Sequence, residues 1–268
     1  MKRILIIAGS DSSGGAGAGR DCIVAHEYGL RSQTVITAVT AQGRDGVCAR
    51  QKIPPQVIAA QLRTAWENGP PDVVKIGMLG WKSTVDQVAS MLEGCAVPVV
   101  LDPVLRTTSG GQLLTARGRA ALLKRLLPLV RLITPNLEEA AILSAIAPDG
   151  SLSALRRQAG FFLGNGAGAV LIKGGHATGD LCCDHLFAPG QHQEFGGQRL
   201  GMQCRGTGCT LATAIACELA LGLGLPEACR QGHGHTRKWI MKNGHAPPQR
   251  GADRDPMKTN RKGQEFEI

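Results

Sequence analysis

Ile4-Leu5-Ile6-Ile7-Ala8 runs directly into Gly9-Ser10-Asp11-Ser12-Ser13-Gly14-Gly15-Ala16-Gly17-Ala18-Gly19-Arg20-Asp21. Five apolar residues with no polar alternate predict a strand buried on both faces, and open α/β sheets hold ligands at the carboxyl ends of such strands. Neither of two familiar phosphate loops fits. A P-loop needs Lys and then Ser or Thr after Gly14, where Gly15 and Ala16 stand, and a dinucleotide fingerprint begun at Gly15 needs glycine in place of Arg20. What remains is a polar, glycine-rich pocket wall. Asp11 and Asp21 are its acceptors, with turn residue and helix cap as their plainer readings.

Working outward, aromatics make up 3% of the 268 residues against 43% hydrophobic residues, so the core is built from Ala, Val, Leu and Ile. That composition suits buried parallel strands flanked by helices in one large α/β domain. The 36 glycines cluster between apolar runs, the pattern of βα turns rather than of a linker. A formal net charge of +9 is spread without interleaved aromatics, which argues for anionic small molecules and against nucleic acid. Nine cysteines without a CxxC pair, with Cys182-Cys183 merely vicinal, predict free thiols in a reducing cytoplasm. No run of 18 apolar residues exists to cross a membrane.

Along the chain, a helix is expected over residues 16–28, a strand over 34–39 and a polar loop at Gln42, Gly43, Arg44, Asp45 and Gly46. Pro54-Pro55 opens a helix whose apolar face is Val57, Leu62, Ala65 and Trp66. Val73-Val74-Lys75-Ile76 is a short buried strand, ending at Gly77-Met78, in which Lys75 reads as an edge or snorkelling lysine. Ser83 is expected to cap a helix to Leu92. The strand 97–101 ends at Asp102-Pro103, an aspartate held extended by the proline and aimed at the ligand crevice. Further on, a helix over 115–127 and a strand over 132–134 lead to Pro135-Asn136. Asn136 and Glu139, three apart on a starting helix, can hold a water shell around Mg²⁺ or form a capping box. Helix 151–163, strand 169–173 with Lys173-Gly174-Gly175-His176, short antiparallel strands at 184–187 and 193–195, and helices over 206–223 and 226–241 complete the domain. His176 reads as a loop histidine. Residues 244–268 read as a disordered tail after a domain of 1–243.

Gly206-Thr207-Gly208-Cys209 opens the helix at 206. Two glycines around a hydroxyl residue let backbone N–H groups converge at a helix N-terminus, where the macrodipole attracts an anion. Cys209 then sits where the dipole lowers a thiol pKa and where it can hydrogen-bond a reacting hydroxyl. A glycine turn followed by a buried cysteine is the plainer alternative.

The succession of the Gly9–Asp21 loop, Lys75-Ile76-Gly77-Met78, Asp102-Pro103-Val104, Thr134-Pro135-Asn136 with Glu139, Lys173-Gly174-Gly175-His176 and Gly206–Cys209 resembles the hydroxymethylpyrimidine and phosphomethylpyrimidine kinases of thiamine biosynthesis, in the ribokinase-like superfamily. The resemblance implies a three-layer αβα sandwich with a mostly parallel central sheet and a small antiparallel extension. It implies that ATP phosphorylates 4-amino-5-hydroxymethyl-2-methylpyrimidine and then its monophosphate. Gly9, Asp21, Gln42 and Met78 would line the pyrimidine pocket; Asp102, Thr134, Asn136 and Lys173 would face ATP. Asn136 and Glu139 would organise Mg²⁺ through water, with a monovalent cation allowed beside it. Gly206, Thr207 and Gly208 would stabilise the transferred group while Cys209 activates the hydroxyl. A cytoplasmic homodimer is expected on the same ground. Departures from the family pattern include Ser12 for proline, Arg205 for histidine, no lysine near Thr108, and Arg20, which adds a cation beside Asp21 and is expected to alter specificity. A pyridoxal or pyridoxine kinase is the alternative substrate class, and a catalytically weak pyrimidine-binding regulatory module a second.

Overall fold

The computed structural model describes residues 1–43, 46–67, 69–107, 110–175 and 180–245. Among these, the strands are β1 (Arg3–Asp11), β2 (Arg31–Gly43), β3 (Gly46–Lys52), β4 (Val73–Ile76), β5 (Val99–Leu101), β6 (Leu132–Ile133), β7 (Val170–Ile172), β8 (Leu181–Ala188) and β9 (Gln191–Gln198). The helices are α1 (Gly17–Glu27), α2 (Pro55–Trp66), α3 (Lys82–Leu92), α4 (Ala116–Ala121), α5 (Leu137–Ser144), α6 (Leu152–Gly164), α7 (Thr207–Ala220) and α8 (Leu225–Asn243).

All the strands join one sheet in the order β3-β2-β1-β4-β5-β6-β7-β8-β9. From β2 to β7 every pairing is parallel, and the antiparallel pairs lie at both edges, β2 with β3 at one and β7 with β8 and β8 with β9 at the other. The expected antiparallel extension is therefore present at the β8–β9 edge, and a second stands at the opposite edge. There the polar loop expected at 42–46 is a hairpin, with Gln42 and Gly43 ending β2 and Gly46 starting β3; Arg44 and Asp45 lie outside the described residues. Its flanking segment has weak apolar alternation, because β3 is an edge strand whose exposed positions carry Arg and Gln.

The unbroken apolar run in β1 has the cause its sequence suggests. Leu5 and Ile7 pack with residues of α2 through α6 on one face, while Ile4, Ile6 and Ala8 pack with α1, α7 and α8 on the other. Successive side chains point to opposite faces, so only a sheet covered on both sides leaves no polar position. Each buried Ile or Leu contributes about 1.5–3 kcal/mol to folding. In α2 the buried face is Ile58, Leu62 and Ala65, whereas Val57, expected inside, is exposed. Ser83 does not cap α3: the cap position is Trp81, without a side-chain bond, and Ser83 Oγ instead accepts from Lys52 Nζ at 2.8 Å. The helix expected over 115–127 starts on Thr115, whose Oγ1 accepts from Gly118 N, then widens to a π turn over Leu122–Leu126 and tightens at Leu127–Leu129. Pro128 cannot donate a helical hydrogen bond and the coil ends there. The helix expected over 226–241 extends to Asn243, and Gly244-His245, assigned to the tail, fold back so that His245 pairs with Gln203. Residues 246–268 lie outside the described residues.

β1 lies between β2 and β4, so the chain leaves it in one direction and returns on the other side. That reversal opens a crevice at the carboxyl ends of β1 and β4, the place where doubly wound sheets bind ligands. α7 packs across β1, β4 and β5, which brings the start of α7 to that crevice.

Candidate active site

Two glycine loops meet at this crevice. Gly206 holds a left-handed conformation, φ 79°, ahead of α7, and a Cβ added there would collide with the Gly15 carbonyl oxygen. Gly17, φ 64°, likewise abuts the Gly9 carbonyl oxygen, and Ser10 and Gly17 form an antiparallel bridge that folds the first loop back. Only glycine meets both demands of positive φ and close backbone approach. Arg205 clamps the two loops from outside, donating to Asp11 Oδ2 at 3.1 Å and Ser13 Oγ at 3.3 Å. Asp11 is also the turn residue of the first loop, accepting from Ser13 N.

The first backbone N–H groups of an α-helix have no partner inside it. In α7 these belong to Thr207, Gly208 and Cys209, and two lysine–carboxylate pairs adjoin this turn. A Cβ on Gly208 would stand 3.3 Å from Lys173 Nζ and 3.4 Å from Asp102 Oδ2. Lys173 Nζ donates to Asp102 Oδ1 at 2.7 Å and lies 4.0 Å from Glu139 Oε2. Burial alone would lower the Lys173 pKa, but Asp102 and Glu139 outweigh it and hold the ammonium charged. Thr134, expected to face ATP, is fully buried, and its Oγ1 donates to Asp102 Oδ1 at 3.3 Å. It positions the aspartate rather than facing the crevice.

The second pair was not foreseen. Lys75, read as an edge or snorkelling lysine, has no exposed surface; it stands in central β4, and its Nζ is 2.6 Å from Asp21 Oδ2. Burial would lower its pKa, and the neighbouring Asp21, Cys209 and Asp102 raise it instead. Asp21 is not a helix cap, because α1 begins four residues earlier; Thr213 Oγ1 of α7 donates to its other oxygen at 2.8 Å. The signal was present in the sequence: a lysine inside a strand buried on both faces requires a carboxylate partner.

Cys209 also departs from expectation. The half-buried thiol is stripped of enough water by its neighbours that its pKa is pushed up to about 11, against the opposing pull of Lys75 and a hydrogen bond from the Gly17 amide. The helix terminus does not offset the loss of water, so the group is a thiol at neutral pH. Arg20, expected beside the substrate, turns away. Its Nε donates to Thr210 Oγ1 at 3.0 Å and its guanidinium stacks over Trp239 at 4.3 Å, tying α1 to α7 and α8.

Asn136 and Glu139 form the capping box of α5. Asn136 Oδ1 accepts from Glu139 N at 2.8 Å and Glu139 Oε2 accepts from Asn136 N at 2.9 Å. Burial, reinforced by Asp102 and opposed by Lys173, raises the Glu139 pKa to about 6. Asp102, Glu139 and Asn136 together present only oxygen donors, the class a hydrated Mg²⁺ takes.

Gly9 and Met78 adjoin at the other end of the crevice: a Cβ on Gly9 would stand 2.9 Å from Met78 Sδ. Met78 packs with Ala38 and Leu113 and with the half-buried Trp81 and Val104, and Thr37 Oγ1 donates to its carbonyl at 2.6 Å. Gln42 N donates to Ser12 Oγ at 3.1 Å, so the serine that replaces proline tethers the end of β2. Arg50 of β3 closes this wall. Its Nη1 donates to Gln112 O at 3.0 Å and its guanidinium lies 4.7 Å from the Trp81 ring centroid; without β3 in the sequence reading, it was missed. Thr108 and His176 lie outside the described residues.

Residues 11–254 match the phosphomethylpyrimidine kinase family. A hydroxymethylpyrimidine/phosphomethylpyrimidine kinase of Rhizobium meliloti (strain 1021) is 40% identical over 225 residues, 84% of this chain and 85% of that protein. A crystal structure of phosphomethylpyrimidine kinase from Clostridium difficile 630 superposes with a TM-score of 0.79 at 33% identity, covering 90% of this chain and 100% of that one. The pyridoxal kinase of Staphylococcus aureus in complex with AMP-PCP and pyridoxal gives a TM-score of 0.80 at 30% identity, covering 88% and 87%.

Proposed function

Because the chain belongs to the phosphomethylpyrimidine kinase family, we propose that its two glycine loops carry ATP-dependent phosphorylation of 4-amino-5-hydroxymethyl-2-methylpyrimidine and then of the monophosphate. The chain is a ribokinase-like kinase of thiamine biosynthesis. The observation that carries the assignment of roles is the packing of Gly15 against Gly206, which sets the substrate loop beside the anion-binding start of α7.

Gly9 and Met78 supply a flat apolar floor for the ring, and Gln42 supplies the polar edge; Asp21, expected there, has no exposed surface and both its oxygens are taken by Lys75 and Thr213, so it supports the crevice from behind. The amides of Thr207, Gly208 and Cys209 receive the charge that develops on the transferred phosphoryl group, with Lys75 and Lys173 behind them. Preorganised donors of this kind stabilise a transition state without reorganising. Cys209 hydrogen-bonds the hydroxymethyl oxygen as a neutral thiol and orients it for in-line attack. A loose phosphoryl-transfer transition state demands little proton removal from the nucleophile before the P–O bond forms, so a strong base is not needed. Asp102, Asn136 and Glu139 would hold hydrated Mg²⁺, which would neutralise the ATP phosphate oxygens. A homodimer in the cytoplasm completes the reading.

A second reading, pyridoxal phosphorylation, is supported by the TM-score of 0.80 to a pyridoxal kinase. The test is ADP release with ATP, Mg²⁺ and, separately, the free pyrimidine, its monophosphate and pyridoxal. Higher kcat/KM for both pyrimidines is the expected result; faster turnover of pyridoxal reverses the order of the two readings.

A further inference from the structure

The β8–β9 hairpin carries a cluster of side chains that the kinase reaction does not use. His185 pairs across the hairpin with Glu194, and Phe187 pairs with His192. Residues two apart on a strand share a face, so both imidazoles, the carboxylate and the phenyl ring project on the same side. His185 Nδ1 lies 3.4 Å from His192 Nε2 and 3.5 Å from Glu194 Oε1, and His192 Nε2 lies 3.7 Å from the same oxygen.

These three separations have a specific meaning. The point equidistant from three atoms so spaced lies about 2.0 Å from each, which is the bond length of zinc to imidazole nitrogen and carboxylate oxygen. The atoms already stand where a metal would draw them, so little rearrangement separates the metal-free cluster from a coordinated one. The rings are also held in place. The two imidazoles are near-parallel, and His192 stacks on the buried Phe187 ring at 4.6 Å with an interplanar angle of 11°. Packing that fixes ligand rotamers is what makes a metal site preorganised. Glu194 is half exposed, which leaves the outer side of the cluster open to water.

We propose that His185, His192 and Glu194 bind one divalent transition-metal ion of the zinc class, with water in the fourth position. Two imidazoles and one carboxylate select such an ion over Mg²⁺, which prefers oxygen ligands and keeps its own water. The ion staples β8 to β9. Between the histidine and the vicinal cysteines of β8, Asp184 faces the other way, accepting from Gly174 N at 2.9 Å and meeting His233 Nδ1 at 2.9 Å. The stapled hairpin thereby braces the backbone at Gly174, next to Lys173 and far along the sheet from the pyrimidine wall.

The test uses the full-length chain, stripped with a chelator and titrated calorimetrically with ZnCl₂, with MgCl₂ as the competing ion. Expected are saturable binding of one Zn²⁺ per chain, no displacement by a large excess of Mg²⁺, and a visible Co²⁺ spectrum without thiolate charge-transfer bands. His192→Gln and, independently, Glu194→Gln should weaken zinc binding at least about 100-fold, since loss of an outer partner alone costs 10–100-fold. Cys182→Ser and Cys183→Ser should leave it unchanged. The Glu194 variant, on a half-exposed edge position, serves if the histidine variant does not fold. Absence of saturable Zn²⁺ binding, undiminished affinity in both ligand variants, or thiolate bands with Co²⁺ would overturn the proposal and leave a cross-strand hydrogen-bonded cluster.

Discussion

Lys75 Nζ lies 2.6 Å from Asp21 Oδ2, and neither side chain has surface open to solvent. Removing one member of such a pair strands the other charge without water. Asp21→Asn and Lys75→Met should therefore each lower stability by about 3–5 kcal/mol in urea unfolding, while Asp21→Leu/Lys75→Met recovers much of it. None of the three should recover kcat. A double variant with native turnover would reduce the pair to a structural element.

Cys209 offers a test in the pH profile. With its thiol pushed up to about 11, kcat should show no thiol ionisation between pH 6 and 9, and Cys209 should react slowly with iodoacetamide in the free enzyme. Cys209→Ser, which keeps a hydroxyl hydrogen bond, should retain more activity than Cys209→Ala, which should lose about 100-fold in kcat, the lower end of the range for a positioned proton-transfer group. Unchanged kcat at saturating substrate in Cys209→Ala would remove the residue from the mechanism.

Glu139 predicts opposite trends for activity and stability. Burial raises its folded pKa to about 6 from the ordinary 4.5. Between those values the folded chain holds a proton that the unfolded chain has lost, so this group's contribution to stability is present below the lower value and declines as pH rises through 6. Activity needs the carboxylate and should rise over the same range. Glu139→Gln keeps the capping box, since glutamine also serves at that position; it should flatten the stability trend and lower kcat. A variant whose activity still rises through pH 6 would assign that ionisation elsewhere.

Arg20 separates specificity from stability. Its guanidinium is committed to Thr210 and Trp239, so Arg20→Met should cost about 1–2 kcal/mol in unfolding free energy. The ratio of kcat/KM for pyrimidine and pyridoxal should stay within about twofold, a free-energy difference well below one hydrogen bond. A larger change in the ratio would restore the specificity role expected from its position in the sequence.

The sheet core was legible because the apolar runs of β1, β4 and β5 have no use except burial on both faces. Gly206–Cys209 was legible because glycine flanking a helix start narrows the backbone to a few conformations. Other features depend on contacts between distant parts of the chain. Lys75 looks peripheral until Asp21 and Thr213 are brought to it, and Arg20 looks like a site residue until α1 turns its side chain toward Trp239. The Cys209 thiol inverted its expected pKa direction for the same reason: loss of water is a property of the assembled fold, whereas the helix terminus can be read locally. β3 escaped notice because an edge strand with one exposed face carries little hydrophobic pattern.

The contact of Gly15 with Gly206 has a kinetic consequence. The clamping bonds from Arg205 to Ser13 and Asp11 span 192 and 194 positions of the chain. Loop closure over such a distance is among the slowest and entropically costliest steps available to a folding domain. Synthesis on the ribosome delivers the first glycine loop long before its counterpart, so the nascent chain carries an unfinished catalytic centre until every strand of the sheet and the start of α7 have emerged. Kinase activity should thus appear abruptly and late, as the final closure of the fold, with no partially active nascent form preceding it.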